Sequence, residues 1–137
     1  LGMTPLMHCA AAGHARAVGL LLRFMLEADA LKTDRAGVDA MGHAVTGRGD
    51  LGVVQRLLKA GLSVHERLPD AAKLGDPQLL QTLVEARAQT SGAFLASARF
   101  GHASNINVLL QLKASLQEEE AESRASPLHL AAFHGHL

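Results

Sequence analysis

The chain has 137 residues, with 13 Lys and Arg set against 13 Asp and Glu, one Cys, and neither Trp nor Tyr. Balanced charge argues against a domain built to neutralise a phosphate backbone, and Cys9 alone excludes an internal disulfide framework or an all-Cys metal site. The most apolar stretch, from Val18 to Leu22, is stopped by Arg23, far short of a membrane span, and no secretory signal is visible. Apolar content comes from Ala and Leu, which favour helix, so the composition reads as all-α.

In chain order, a short helix is predicted over 5–12, anchored by Leu6 and carrying the small pair Cys9 and Ala10. Gly13 then makes a turn, and Ala17, Val18, Leu21 and Leu22 follow it at the fourth, fifth, eighth and ninth places. That spacing marks one stripe of a helix, predicted over 15–28 and lengthened through Phe24, Met25 and Leu26. The pattern recurs: a helix over 43–48, then Gly49, then a helix over 51–60 with Val53, Val54, Leu57 and Leu58 on its stripe. A shorter helix over 70–74 begins near Pro69, which suits a first turn, and leads through Gly75 to a helix over 77–86 bearing Leu79, Leu80, Leu83 and Val84. Next come helices over 93–100 and 104–112 about Gly101, where Asn105 breaks an otherwise apolar stripe of Ile106, Leu109 and Leu110. A last helix over 127–134 precedes Gly135. The unit is helix, glycine turn, helix, connection. One such unit cannot bury its own stripe, so like units must stack, as in a solenoid.

The residues from Ser126 through Pro127, Leu128, His129, Ala131, Ala132, Gly135 and His136 resemble the start of an ankyrin repeat, as do Thr4, Pro5, Leu6, Gly13 and His14. Gly49 to Val64 and Gly101 to Ala114 resemble its second half. The resemblance covers the chain as about five units, at 1–36, 37–65, 66–91, 92–125 and an incomplete 126–137. Against the family period of about 33 residues the first glycine interval is long and the two middle ones short. The middle connections are therefore expected to lack the family's β-hairpin finger, with room for one in the first and last. Beginning at Leu1 and stopping two residues into a helix, the sequence reads as a piece of a longer protein.

Eight histidines invite a metal reading, but His14, His102 and His136 follow turn glycines and His129 fills the repeat's own histidine slot, where the resemblance implies structural hydrogen bonds. Cys9 is expected to be a packed thiol. Gly47, Arg48, Gly49 and Asp50 lack the Lys and Ser/Thr of a phosphate-cradling loop, and no nucleophile elbow is present. The acidic run from Glu118 to Glu122 reads as a solvated loop.

The resemblance implies a non-catalytic module, with no cofactor, binding another protein through the concave face and loop tips. Positions at the ends of the first helices face that side in the family. Here they include Arg48, Lys73, Leu74, Arg99, Phe100, Phe133 and His134, beside Ala11, Ala12 and Gly47, with the loop residues Lys32, Asp34 and Arg35 projecting nearby. Arg and apolar groups together suit an acidic, partly apolar protein segment, not nucleic acid or a membrane. A monomeric scaffold in the cytoplasm or nucleus is the expectation. The alternatives are a regulatory segment of a multidomain enzyme, such as a kinase, ubiquitin ligase or hydrolase, and a stretch attached to a membrane channel or anchor.

Overall fold

A computed structural model describes residues 2–64, 67–86, 88, 92–112 and 126–136. Among them the secondary structure is helical, with no strand. Backbone contacts divide the chain into an N-terminal part, Leu1–Val64, and a C-terminal part, His65–Leu137.

The N-terminal part holds α1 (Pro5–Ala11), α2 (Ala15–Phe24), α3 (Glu27–Ala30), α4 (Ala40–Thr46) and α5 (Leu51–Lys59). It has two layers: α1 packs on α4, and α2 on α5. Leu6, Met7 and Ala10 from α1 close on Met41, Ala44 and Val45 from α4, while Val18 meets the Val53, Val54 and Leu57 side of α5. Removing each such aliphatic side chain from water contributes roughly 1.5–3 kcal/mol. Cys9 lies off the Leu6–Met7–Ala10 stripe and is half-buried, so the expected packed thiol is instead an edge residue.

Side-chain caps set where α1, α4 and α5 begin. Thr4 Oγ1 accepts from the Met7 amide at 3.3 Å, and the Met7 sulfur accepts from the Thr4 amide at 3.3 Å. Asp39 accepts from the Gly42 amide at 2.7 Å, and Asp50 from the Val53 amide at 2.9 Å. The Asp39 cap starts α4 three residues ahead of the predicted 43–48 and places Gly42 in its buried first turn. Such caps contribute about 1 kcal/mol each.

The predicted long helix over 15–28 is two helices. Chain extension at Met25 and Leu26 ends α2 at Phe24, and α3 follows. The cause is the neighbour: α5 stops at Lys59 and turns at Gly61, so a longer straight α2 would have nothing to pack on. In the first connection no finger forms. Asp34 nucleates a compact turn, its Oδ1 accepting from the amides of Ala36 at 2.8 Å and Val38 at 3.0 Å, with Val38 O accepting from the Asp34 amide at 2.9 Å. The last connection and the acidic run from Glu118 to Glu122 lie outside the described residues.

The C-terminal part holds α6 (Leu68–Leu74), α7 (Pro77–Glu85), α8 (Ala93–Arg99), α9 (Ala103–Gln111) and α10 (Pro127–Phe133). Here α6, α8 and α10 pack in series, with α7 on α9 behind. Leu68, Leu79, Leu80, Leu83, Phe94 and Leu109 are buried core. The helix predicted to be short, α6, has seven residues like α1, α4, α8 and α10, because Pro69 sits inside its first turn and Leu68 reaches the core.

Candidate functional site

The glycine turns position the site. Gly75 has φ +76°, and a Cβ there would lie 2.7 Å from the imidazole of His102. That ring rests on the turn of the preceding helix pair and donates from Nε2 to the Lys73 carbonyl at 2.9 Å. His136 repeats the arrangement against Gly101, with its Nε2 3.2 Å from the Arg99 carbonyl. Each ring therefore satisfies a carbonyl that a helix C-terminus leaves unpaired. His129 also bonds locally, its Nδ1 accepting from the Ser126 hydroxyl at 2.8 Å, and Met7 occupies the equivalent place beside Thr4. These histidines are structural. Among the described residues no group of three His, Cys, Asp or Glu side chains could hold a metal ion.

Between α6 and α8 lies a groove of about 200 Å³ lined by Pro69, Lys73, Leu95, Ala96, Arg99 and Phe100, with Gly92 at one end. Pro69 and Lys73 are one helical turn apart on α6, and Leu95 and Arg99 one turn apart on α8, so each helix presents one apolar and one basic residue to the same cleft. Gly92 has φ +77° at the start of α8, and a Cβ there would press on Pro69 Cγ at 3.3 Å, so the bare glycine lets the two helices close at that end. Phe100 is 47% exposed and stacks on His102, ring centroids 6.4 Å apart and 12° from parallel. The same imidazole thus holds the Lys73 backbone and the Phe100 ring. Lys73 Nζ is 2.9 Å from Asp70 Oδ1, a half-exposed pair of the kind that contributes little and is easily exchanged for another anion.

The sequence-predicted residues divide accordingly. Lys73, Arg99 and Phe100 share the groove, and Leu74, 41% exposed, lies next to Lys73 outside its lining. Phe133, 85% exposed, meets His134 edge-on at 5.2 Å at the end of α10. Arg48 belongs to the N-terminal part, where its side chain lies over the Gly13 turn. There Gly47 has no Cβ because one would collide with the Ala11 carbonyl, so α1 and α4 touch through small residues. Lys32 pairs with Asp29 at 2.6 Å, and the Arg35 stem packs near Gly2. Pro69, Leu95 and Ala96 were missed, although each lies four residues before one already singled out, so the i−4 rule would have found all three.

Among the described residues, Asp34 carries a clear electrostatic perturbation. Its carboxyl is held below the ordinary carboxylate value, first by the Val38 amide, then by His43 and the Ala36 amide, with burial opposing them. His43 Nε2 lies 2.9 Å from Asp34 Oδ2 and ties the loop to α4.

The ankyrin repeat family model matches residues 1–35. A crystal structure of the human ASB11 ankyrin repeat domain matches with a TM-score of 0.89 at 20% sequence identity, over 98% of this chain and 65% of that one. The fold is that of the ankyrin repeat. The chain spans less than two thirds of that ankyrin repeat domain, and no curated protein matches it in sequence. No helix among the described residues is long and apolar enough to cross a membrane.

Proposed function

We propose that this ankyrin repeat chain is a non-catalytic protein-binding module, and that an acidic, partly apolar segment of its partner lies along the ends of α6, α8 and α10. The supporting observation is the groove in which Lys73 and Arg99 flank an apolar floor of Pro69, Leu95 and Ala96, with Phe100 as an exposed wall. Arg and aromatic side chains dominate protein interfaces because they bury large area and bond in fixed geometry. Helix-borne side chains braced by His102 lose little freedom on docking, which favours affinity. Leu74, Phe133 and His134 extend the surface at its edge, whereas Lys32, Arg35 and Arg48 belong to a second, smaller contribution from the N-terminal part.

The test is selection of binding peptides from a random displayed library on the whole chain, followed by titration of the selected peptides. Enrichment of peptides alternating Asp or Glu with Leu, Phe or Ile, with binding lost in K73E/R99E at unchanged helical content, is the expected result. R48E should weaken binding less. Selected peptides that bind K73E/R99E as tightly as the native chain would remove the groove from the interface.

A further inference from the structure

The outer helices of the N-terminal part carry a second surface with different chemistry. Arg16 and Arg23 on α2, and Arg56 and Lys59 on α5, are all exposed, and neither helix contains an acidic residue. The corresponding outer helices of the C-terminal part contrast sharply: α7 has Glu85 as its one charged residue and α9 has none. So the four cations are not a general solubilising pattern of outer helices. Among the described residues none of the four has a carboxylate partner, and Arg56 bonds back to the Gly52 carbonyl at 3.2 Å.

These cations border a hollow. Arg16, Gly19, Leu20, Arg23 and Arg56 line a trough of about 450 Å³, and a hollow of about 250 Å³ continues from Gly19, Arg23 and Arg56 to Leu22, Lys59 and Ala60. Gly19 is in the middle of α2, where glycine is a poor helix former and no left-handed turn requires it. A Cβ at Gly19 would meet Arg56 Nε at 3.0 Å. The missing side chain is what leaves room for the Arg56 stem and Nε against α2, at a level between Arg16 and Arg23. Two turns of helix separate Arg16 from Arg23, about 10 Å, with Arg56 lying between them. Leu20, 56% exposed, adds an apolar contact at the rim.

We propose that this trough is a docking site for an acidic segment of a partner protein, distinct from the groove between α6 and α8. Charge complementarity selects the occupant: a row of cations about 10 Å long fits a row of carboxylates better than one compact anion. Guanidinium forks bind carboxylates in pairs of parallel hydrogen bonds.

The probe is a fluorescent deca-glutamate peptide titrated into the whole chain, at low and at physiological ionic strength. Binding that weakens with salt and falls about tenfold or more in R16E/R23E/R56E, but by less than about twofold in K73E/R99E, is expected for an electrostatic site. If the triple reversal loses helical content, R16Q/R23Q is read in its place. G19A gives an independent signature: a better helix former raises the melting temperature while the displaced Arg56 weakens peptide binding. Deca-glutamate that binds R16E/R23E/R56E and the native chain alike overturns the proposal. So does loss of the peptide in K73E/R99E alone, or tighter binding to a DNA oligomer or to phosphatidylserine vesicles than to the peptide.

Discussion

Asn105 donates from Nδ2 to the carbonyl of Ala72 at 3.1 Å, across 33 residues of sequence, and both its ends are sealed from water. It stands on α9 where the other outer helices place an apolar side chain, and it reaches the last turn of α6. Together with His102, which takes the next carbonyl at Lys73, it closes the C-terminus of a helix that has no side-chain cap of its own at that end.

That bond sets an order of stabilities. N105A leaves a buried carbonyl unpaired and a cavity, and is expected to cost about 2–3 kcal/mol. N105D is expected to cost more, because a carboxylate cannot donate to Ala72 and its charge would be buried without a partner. Urea unfolding of the two variants checks the order, and equal or reversed midpoints would refute it.

The pairing of Gly75 with His102 predicts a coupling. G75A places a Cβ in the left-handed region, at roughly 1–2 kcal/mol, and drives it into the imidazole as well. H102A removes the obstacle and one hydrogen bond. The double variant is therefore expected to lose less than the two single variants added together, by about 0.5–3 kcal/mol in a double-mutant cycle. Simple additivity would show that the ring and the turn do not meet.

Asp34 predicts acid sensitivity of the first connection. Its folded-state pKa is lowered, so proton uptake favours the unfolded chain. The contribution is complete above the ordinary carboxylate value and is lost as pH falls through the lowered one. D34N should flatten that part of the stability curve, and it should also speed amide exchange at Ala36 and Val38. Unchanged acid unfolding of D34N would assign the sensitivity elsewhere.

The Asp76 cap gives a local test. Its Oδ1 accepts from the amides of Gln78 at 2.9 Å and Leu79 at 3.2 Å, ahead of Pro77 in the first turn of α7. D76A is expected to lower stability by about 1 kcal/mol, and D76N by less, since an amide oxygen still accepts. Thermal melts distinguish them.

Much of this architecture can be read from local patterns. The stripes at Val53, Val54 and Leu57 and at Leu79, Leu80 and Leu83 are buried where their spacing puts them, because a helix has one period and these faces have neighbours. What escaped depends on partners distant in sequence. The break after Phe24 follows from where α5 stops. Asn105 looked like a flaw in a stripe, since its acceptor is a backbone atom in an earlier helix pair. Within the groove, Lys73, Arg99 and Phe100 were identified from their register in the repeat; Pro69, Leu95 and Ala96 lie one turn before them, but that they share one cleft follows only from the packing of α6 on α8. Arg16, Gly19 and Arg56 were overlooked for the same reason: two helices are needed to make a trough.

The histidine lids give the C-terminal part a direction. Gly75 is covered by a ring from the pair after it, and Gly101 by His136, which sits exposed beyond α10. Like overlapping roof tiles, each turn is sheltered by the course laid next. Lifting the ring of His136 should therefore bare Gly101 while His102 still covers Gly75.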